Sequence, residues 1–226
     1  MIILAVDTTT FAGSVALLDK TKLLSEVDID SASTYSERLL PSIDFLLERN
    51  KLNIKEIDAF AVAAGPGSFT GIRIGLSTIK SFAYASQKPV ATVSTLKALA
   101  FKLHHSPGRL LCPVLGAKKG QIFAALFESG KPGLKEIIAQ GAYLPDQFFT
   151  RLPSHRIISF IGNGVPTYKD KILRYLRDKA RFSLRTSFIA YEVGLIGYEF
   201  LRKKKSLNLE ELKPLYFRSS QTEEED

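Results

Sequence analysis

Asp7-Thr8-Thr9-Thr10 closes an apolar run that begins at Ile2, and it is the first group in this chain whose residue types could do chemistry. A carboxylate at a strand end can hold Mg²⁺ through water, while hydroxyls and turn N–H groups meet a phosphate. The same four residues also make an ordinary turn, because Asp and Thr side chains bond nearby backbone. Phosphoryl transfer needs more: a second phosphate loop, an adenosine pocket and usually a further carboxylate. Gly162-Asn163-Gly164 is a candidate remnant of a second loop, and no adenosine motif is recognisable. Asp7, Thr8, Thr9, Thr10, Gly162, Asn163 and Gly164 therefore mark a residual nucleotide contact at most, without turnover of its own.

The other reactive side chains point away from catalysis. The histidines are His104, His105 and His155. Adjacent histidines do not face the same way on a helix or strand, so His104-His105 is a poor ligand pair. No His-Glu-x-x-His is present, which leaves a zinc peptidase without its site. Cys112 sits in an apolar run and reads as a small core residue. A single cysteine permits no internal disulfide and no thiolate metal cluster, which fits a reducing cytoplasm. A ribonuclease-H-like nuclease needs three or four clustered carboxylates for two metals. In the first half only Asp7 stands at a suitable strand end, and Asp58 reads as a cap. Neither a metal nor a cofactor is expected.

The elements that must position these residues fall into two similar series. Ile2–Asp7, Gly13–Leu18 and Leu23–Ile29 read as strands. Thr34–Arg49 reads as an amphipathic helix and Ile57–Ala64 as a strand buried on both faces. A helix over Ser68–Gln87, a strand Val90–Val93 and a helix from Ser94 to Leu103 follow. His104-His-Ser-Pro-Gly-Arg109 has the turn chemistry of a linker. The plan then repeats loosely, with strands at Leu110–Leu115, Ile122–Phe127 and Leu134–Ala139, and a short helix near Asp146–Thr150. A strand Ile157–Ile161, a helix Tyr168–Arg177 and a last helix from Ser187 to Lys204 complete it. Two related α/β lobes are expected, 1–105 and 106–226, the second one reduced, with the last segment free to pack back on the first lobe. No apolar run reaches the ~18 residues of a membrane span, and the N-terminus reads as an opening strand rather than a signal peptide.

The helix after Gly65-Pro66-Gly67 is apolar over too much of its circumference. At ~100° per residue, Arg73, Tyr84, Ser77, Thr70, Ser81 and Lys80 crowd into a strip of roughly 100°, and all else is apolar or small. One sheet needs an apolar stripe of only about that width. Gly67, Gly71 and Gly75 recur at four-residue spacing, each costing about 1 kcal/mol relative to Ala in a helix. Another backbone must come close. A helix buried in a large core and a helix at a subunit interface both satisfy the pattern. The interface reading takes in Gly67, Gly71, Ile72, Gly75, Leu76 and Ile79, joined by Tyr35, Leu39, Leu40, Ile43 and Leu47 of the preceding helix. Two copies of such a helix pair could meet as a four-helix bundle.

Charge is placed unevenly. The net +8 arises wholly after residue 100, where 21 basic side chains face 13 acidic ones, four of the latter in the terminal Glu223-Glu224-Glu225-Asp226. Basic clusters lie at Lys118-Lys119, between Lys169 and Arg185, and at Arg202-Lys203-Lys204-Lys205. Such asymmetry fits a polyanion-facing surface, and equally a solvated face of basic helices, since few aromatics interleave the charges.

Several motifs together resemble the TsaB (YeaZ) family of bacterial tRNA threonylcarbamoyladenosine biosynthesis proteins over nearly the whole chain. They are Leu4-Ala-Val-Asp-Thr-Thr-Thr10, Tyr35-Ser-Glu-Arg-Leu-Leu-Pro41, Gly65-Pro-Gly-Ser-Phe-Thr-Gly-Ile-Arg-Ile-Gly75, Val93-Ser-Thr-Leu-Lys-Ala98, Ile161-Gly-Asn-Gly164 and Pro214-Leu-Tyr-Phe-Arg218. The glycine helix is the most specific. The resemblance implies two ribonuclease-H-like lobes of the actin/Hsp70/sugar-kinase (ASKHA) type. It also implies a non-catalytic role beside the paralogue TsaD, which transfers threonylcarbamoyl to adenosine 37 of tRNAs reading codons that begin with A. The ATPase TsaE completes that assembly, the adenylate donor is made elsewhere, and any tRNA contact of this chain would be indirect. TsaD-like proteins carry a His-x-x-x-His metal pair where this chain has Thr95 and Leu99. Tyr35 stands where His is common, and Gly116-Ala117-Lys118 where Asp-Ala-Arg is common. The implied partners are TsaD, TsaE and a second copy of the chain; a small ATP-binding kinase of the same superfold is the alternative.

Overall fold

The structure, a computed structural model, describes residues 1–30, 35–104, 107–131, 133–203 and 209–217. Thr34, His105, Lys204-Lys205, Arg218 and the acidic terminus lie outside the described residues. The expected division at 105/106 is redrawn by the contacts. One unit takes the described residues of Met1–Ala98 and Phe188–Leu215; the other takes Leu99–Ser187 with Tyr216 and Phe217.

Unit 1 is built on a sheet in the order β3-β2-β1-β4-β5. Its strands are β1 (Ile2–Asp7), β2 (Ala12–Asp19), β3 (Lys22–Asp30), β4 (Ala59–Gly65) and β5 (Val90–Ser94). The first three are antiparallel neighbours, while β4 runs parallel to both β1 and β5. A parallel central strand is covered on both faces, and all seven residues of β4 are buried accordingly. Side chains alternate along a strand. Leu4, Val6, Phe60 and Val62 join the core made with α1 (Tyr35–Arg49) and α2 (Phe69–Ser86). The opposite face meets α6 (Ala190–Leu201), whose Gly194 lies against Leu18 and Ala5 and whose Gly197 lies against Ala61. A Cβ on Gly197 would come within 2.6 Å of the Ala61 methyl, so α6 is pressed onto the sheet where its side chains vanish. Ser14 Oγ accepts from Ala190 N at 3.0 Å and fixes where that helix starts.

A short helix α3 (Thr95–Lys102) follows β5. Asp58 does cap the opening of the sheet, accepting from Ile2 N at 2.7 Å.

Unit 2 repeats the plan. Its sheet runs β10-β9-β6-β7-β8, the order of the first sheet reversed in listing, with β6 (Leu110–Gly116), β7 (Ile122–Gly130) and β8 (Gly133–Tyr143) antiparallel. Strands β9 (Ile158–Ile161) and β10 (Ala180–Phe182) add on in parallel. Helices α4 (Pro145–Phe149) and α5 (Val165–Leu176) cover one face through Phe148, Phe149, Ile172 and Leu176. Strand β10 was not expected; three residues with Arg181 in the middle carry no readable alternation. The expected linker is tied into this unit. Ser129 Oγ lies 2.6 Å from His104 Nδ1, and Gly108 N donates to Ser129 O at 2.7 Å.

Candidate functional site

The turn after β1 is folded inward. Asp7, Thr8 and Thr9 are wholly buried and Thr10 nearly so. Asp7 Oδ1 accepts from Thr9 N at 2.9 Å and from Thr9 Oγ1 at 2.6 Å. Thr95 Oγ1 donates to Thr9 Oγ1 at 3.0 Å, so a hydroxyl chain runs from the start of α3 into the carboxylate. Thr8 Oγ1 donates to Gly71 O at 2.7 Å, Thr10 Oγ1 is turned to Ala12, and Tyr35 Oη donates to Thr10 O. Asp7 Oδ2 has no hydrogen-bond partner. Burial therefore lifts the Asp7 carboxyl from 3.8 to about 6, against the opposing pull of Thr9.

The glycine stripe closes this turn. Thr9 O accepts from Ser68 N at 2.6 Å. A Cβ on Gly67 would overlap Thr9 O, one on Gly71 would overlap Thr8 O, and one on Gly75 would stand 2.5 Å from Thr8 Oγ1. The backbone that comes close to α2 belongs to the chain itself. This corrects the assignment of Gly67, Gly71 and Gly75 to a partner surface. Ile72, Leu76 and Ile79 are likewise buried in unit 1, as are Leu39, Ile43 and Leu47. The physical reason is that α2 serves the sheet, α1 and the Thr8–Thr9 turn together, which accounts for an apolar arc wider than a sheet alone requires.

What α1 and α2 leave outside is different. Of the residues read as an interface, Leu40 is 49% exposed and Tyr35 is half-buried. Phe45 at 53% on α1, and Phe69 at 48% and Tyr84 at 70% on α2, are exposed as well, and Arg73 lies 3.7 Å from the Phe69 ring centroid. The strip of Thr70, Arg73, Ser77, Lys80, Ser81 and Tyr84 legible in the helical period is the side that α2 turns outward. That strip was the available signal for the exposed residues.

The hydroxyls of Thr8, Thr9 and Thr10 are spent inside the turn, and Asp7 is closed to solvent. A hydrated Mg²⁺ keeps several waters and needs accessible oxygens. The turn does not fit a magnesium-phosphate contact. In unit 2, Gly162 has φ +114° and a Cβ there would overlap Val114 O, while Asn163 Oδ1 accepts from Gly116 N at 3.0 Å. Gly162, Asn163 and Gly164 thus seat the turn between β9 and α5 on the end of β6. Among the described residues no three His, Cys, Asp or Glu side chains gather where they could hold a metal. Cys112 is buried and its thiol is pushed well above the usual range by that burial, so it is inert. No described helix is long and apolar enough to cross a membrane.

Two five-stranded sheets of one topology, each with three antiparallel strands extended by two parallel ones, are ribonuclease-H-like lobes of the ASKHA type. A ROK hexokinase from Thermus thermophilus shares this fold, with a TM-score of 0.51 at 14% identity over 91% of this chain and 100% of that one. A crystal structure from Pseudomonas aeruginosa, of a protein described as similar to the peptidase YeaZ, matches with a TM-score of 0.82 at 25% identity, covering 96% of this chain and 99% of that one. The family model of TsaD, tRNA N6-adenosine threonylcarbamoyltransferase, matches residues 29–183. The tRNA threonylcarbamoyladenosine biosynthesis protein TsaB of Bacillus subtilis is 28% identical over 99% of this chain and 96% of its own length. TsaB of Haemophilus influenzae is 27% identical over 97% and 94%. The chain belongs to the TsaD family, in its TsaB (YeaZ) branch.

Proposed function

We propose that this chain is a non-catalytic subunit required for threonylcarbamoylation of adenosine 37 in tRNAs reading codons that begin with A, pairing with TsaD and helping to recruit TsaE. One observation carries the reading. Thr95 and Leu99 stand one helical turn apart on α3, 0% and 1% exposed, where TsaD-like proteins carry their histidine pair. Leucine has no donor atom, and the Thr95 hydroxyl is engaged by Thr9. The chain supplies surface rather than chemistry. Reconstitution with tRNA, threonylcarbamoyl-adenylate, TsaD and TsaE tests it. Omitting either this chain or TsaD abolishes the modified nucleoside; product formed without TsaD, or undiminished without this chain, overturns the reading.

The partner surface consistent with burial is the outward side of α1 and α2, where Leu40, Phe69 and Tyr84 are exposed. A two-fold interface of standard size buries ~1,600 Å² in total. TsaD shares the lobe, so it competes with a second copy of this chain for one patch. Leu40→Glu combined with Tyr84→Glu leaves a folded chain by circular dichroism and weakens homodimer and TsaD complex together, by about 2 kcal/mol or more if these are central anchors. Light scattering that finds both complexes intact removes this patch from consideration. Ile43→Glu and Leu76→Glu are unsuitable for the purpose, since both sites lie in the core.

A further inference from the structure

The charges on the outer sides of α1 and α2 are sorted by sign. At ~100° per residue, Glu37, Leu40, Asp44 and Glu48 of α1 fall within an arc of about 80°. All four are exposed, while Leu39, Ile43, Leu46 and Leu47 turn into the core. The arginines of that helix, Arg38 and Arg49, lie on its other flank with Phe45. On α2, Phe69, Arg73, Ser77, Lys80 and Tyr84 form a second exposed stripe about 80° wide, and Phe69–Ser86 contains no Asp or Glu. Arg73 is held over the Phe69 ring, 3.7 Å from its centroid. Among the described residues, Glu37, Asp44 and Lys80 make no ion pair.

The needs of a single helix do not produce this sorting. Glu37 in the first turn of α1 suits the helix dipole, but Asp44 stands in mid-helix and Glu48 in the last turn, where the dipole favours the opposite sign. Asp44 and Glu48 are also like charges one turn apart, which weakens a helix. The two stripes instead match each other. Glu37 and Asp44 are seven residues apart with Leu40 between them, and Arg73 and Lys80 are seven apart with Ser77 between them. Each pair spans ~10.5 Å along its helix. Opposite charges repeat at one spacing, around an apolar side chain on one stripe and a small one on the other.

We propose that two copies of this chain pair by seating the Glu37–Leu40–Asp44 stripe of each α1 on the Arg73–Ser77–Lys80 stripe of the other copy's α2. The inference rests on the outward side of α1 and α2 being the partner surface. A two-fold axis makes the contact reciprocal. Ser77 leaves room for Leu40 between helices packed ~8–10 Å apart, and ion pairs bracket it at both ends. Pairing like with like, α1 on α1 and α2 on α2, sets carboxylates against carboxylates and cations against cations, which selects against that arrangement. A second copy is the occupant because both halves of the match belong to this chain.

Sedimentation equilibrium of the full chain over a salt series tests it. Glu37→Lys/Asp44→Lys and Arg73→Glu/Lys80→Glu each weaken the homodimer by on the order of tenfold or more, and the chain carrying all four substitutions returns to within about threefold of wild type. Wild-type affinity falls as salt rises. Circular dichroism confirms that each variant is folded; the near-isosteric Glu37→Gln/Asp44→Asn, which weakens the dimer several-fold, replaces a reversed variant that is not. Unchanged dimerisation in the reversed variants overturns the proposal, as does a four-substitution chain no better than its parents. So does a wild-type chain that stays monomeric at every concentration, or a dimer that tightens with salt, the mark of like stripes facing each other. If modification requires the chain while the reversed variants dimerise as wild type, only this inference fails. If modification proceeds without the chain although the four-substitution exchange restores the dimer, the proposed function fails and the pairing stands.

Discussion

Gly71→Leu leaves unit 1 unable to fold at room temperature, and Gly71→Ala destabilises it by about 2–3 kcal/mol. In an ordinary helix Gly to Ala gains roughly 1 kcal/mol. Here the new Cβ would overlap Thr8 O, and Thr8 is itself fixed by its bond to Gly71 O. Backbone cannot yield as a flexible side chain does, so the overlap is relieved only by moving α2 off the end of β1. A leucine asks for more room than any such shift provides, and total stabilities of about 5–15 kcal/mol leave little reserve. Gly116→Ala is the control, since nothing lies within 4 Å of a Cβ there; it changes stability by about 0.5 kcal/mol or less. Thermal and urea denaturation followed by circular dichroism measure all three. A Gly71→Leu chain that folds normally but fails to assemble returns the glycine stripe to a subunit interface.

The second large effect is a dependence on pH that runs opposite to acid denaturation. Asp7 holds its proton up to about 6 in the folded chain, against 3.8 for an ordinary carboxyl. Between those values the folded state binds more protons than the unfolded one, so stability falls as pH rises. The contribution is fully present below about 3.8 and is lost above about 6. Its size is about 3 kcal/mol, at 1.36 kcal/mol per unit of displacement. Other groups titrate over the same range, and the difference between wild type and Asp7→Asn cancels them. Wild type is stabilised relative to Asp7→Asn by about 2 kcal/mol on going from pH 7 to pH 4, with the remainder appearing below that. The asparagine amide places a partnerless N–H₂ near Oδ2 at every pH, which offsets the curve without tilting it. A difference that does not change with pH refutes the buried, raised carboxyl.

Much of the architecture was legible from local pattern. Strand β1 was read at its observed bounds, and the strands and helices that follow were read within a few residues, because period two and period 3.6 are set by the backbone itself. The recurrence of three antiparallel strands followed by alternating elements was visible too, and the two sheets share one topology. Asp58 as a cap and Cys112 as a core residue were equally readable, each from its place in a run. Strand β10 was not, and the inward-facing hydroxyls of Thr8 and Thr95 could not be separated from solvent-facing ones by residue type.

The sequence by itself determined that α2 needs two neighbours besides water and that one of them is a backbone. A helical period groups Gly67, Gly71 and Gly75 on one face, and their repeated cost says that the face is approached closely. It does not say by what. The turn at Thr8–Thr9 is some sixty residues away in sequence, and only the pairing of β1 with β4 delivers it to the start of α2. The return of α6 to the first sheet was decided in the same way, because Gly194 and Gly197 could have met any flat surface. Tertiary structure alone supplied the identity of each neighbour, since periodicity is a property of one element while contact is a property of two.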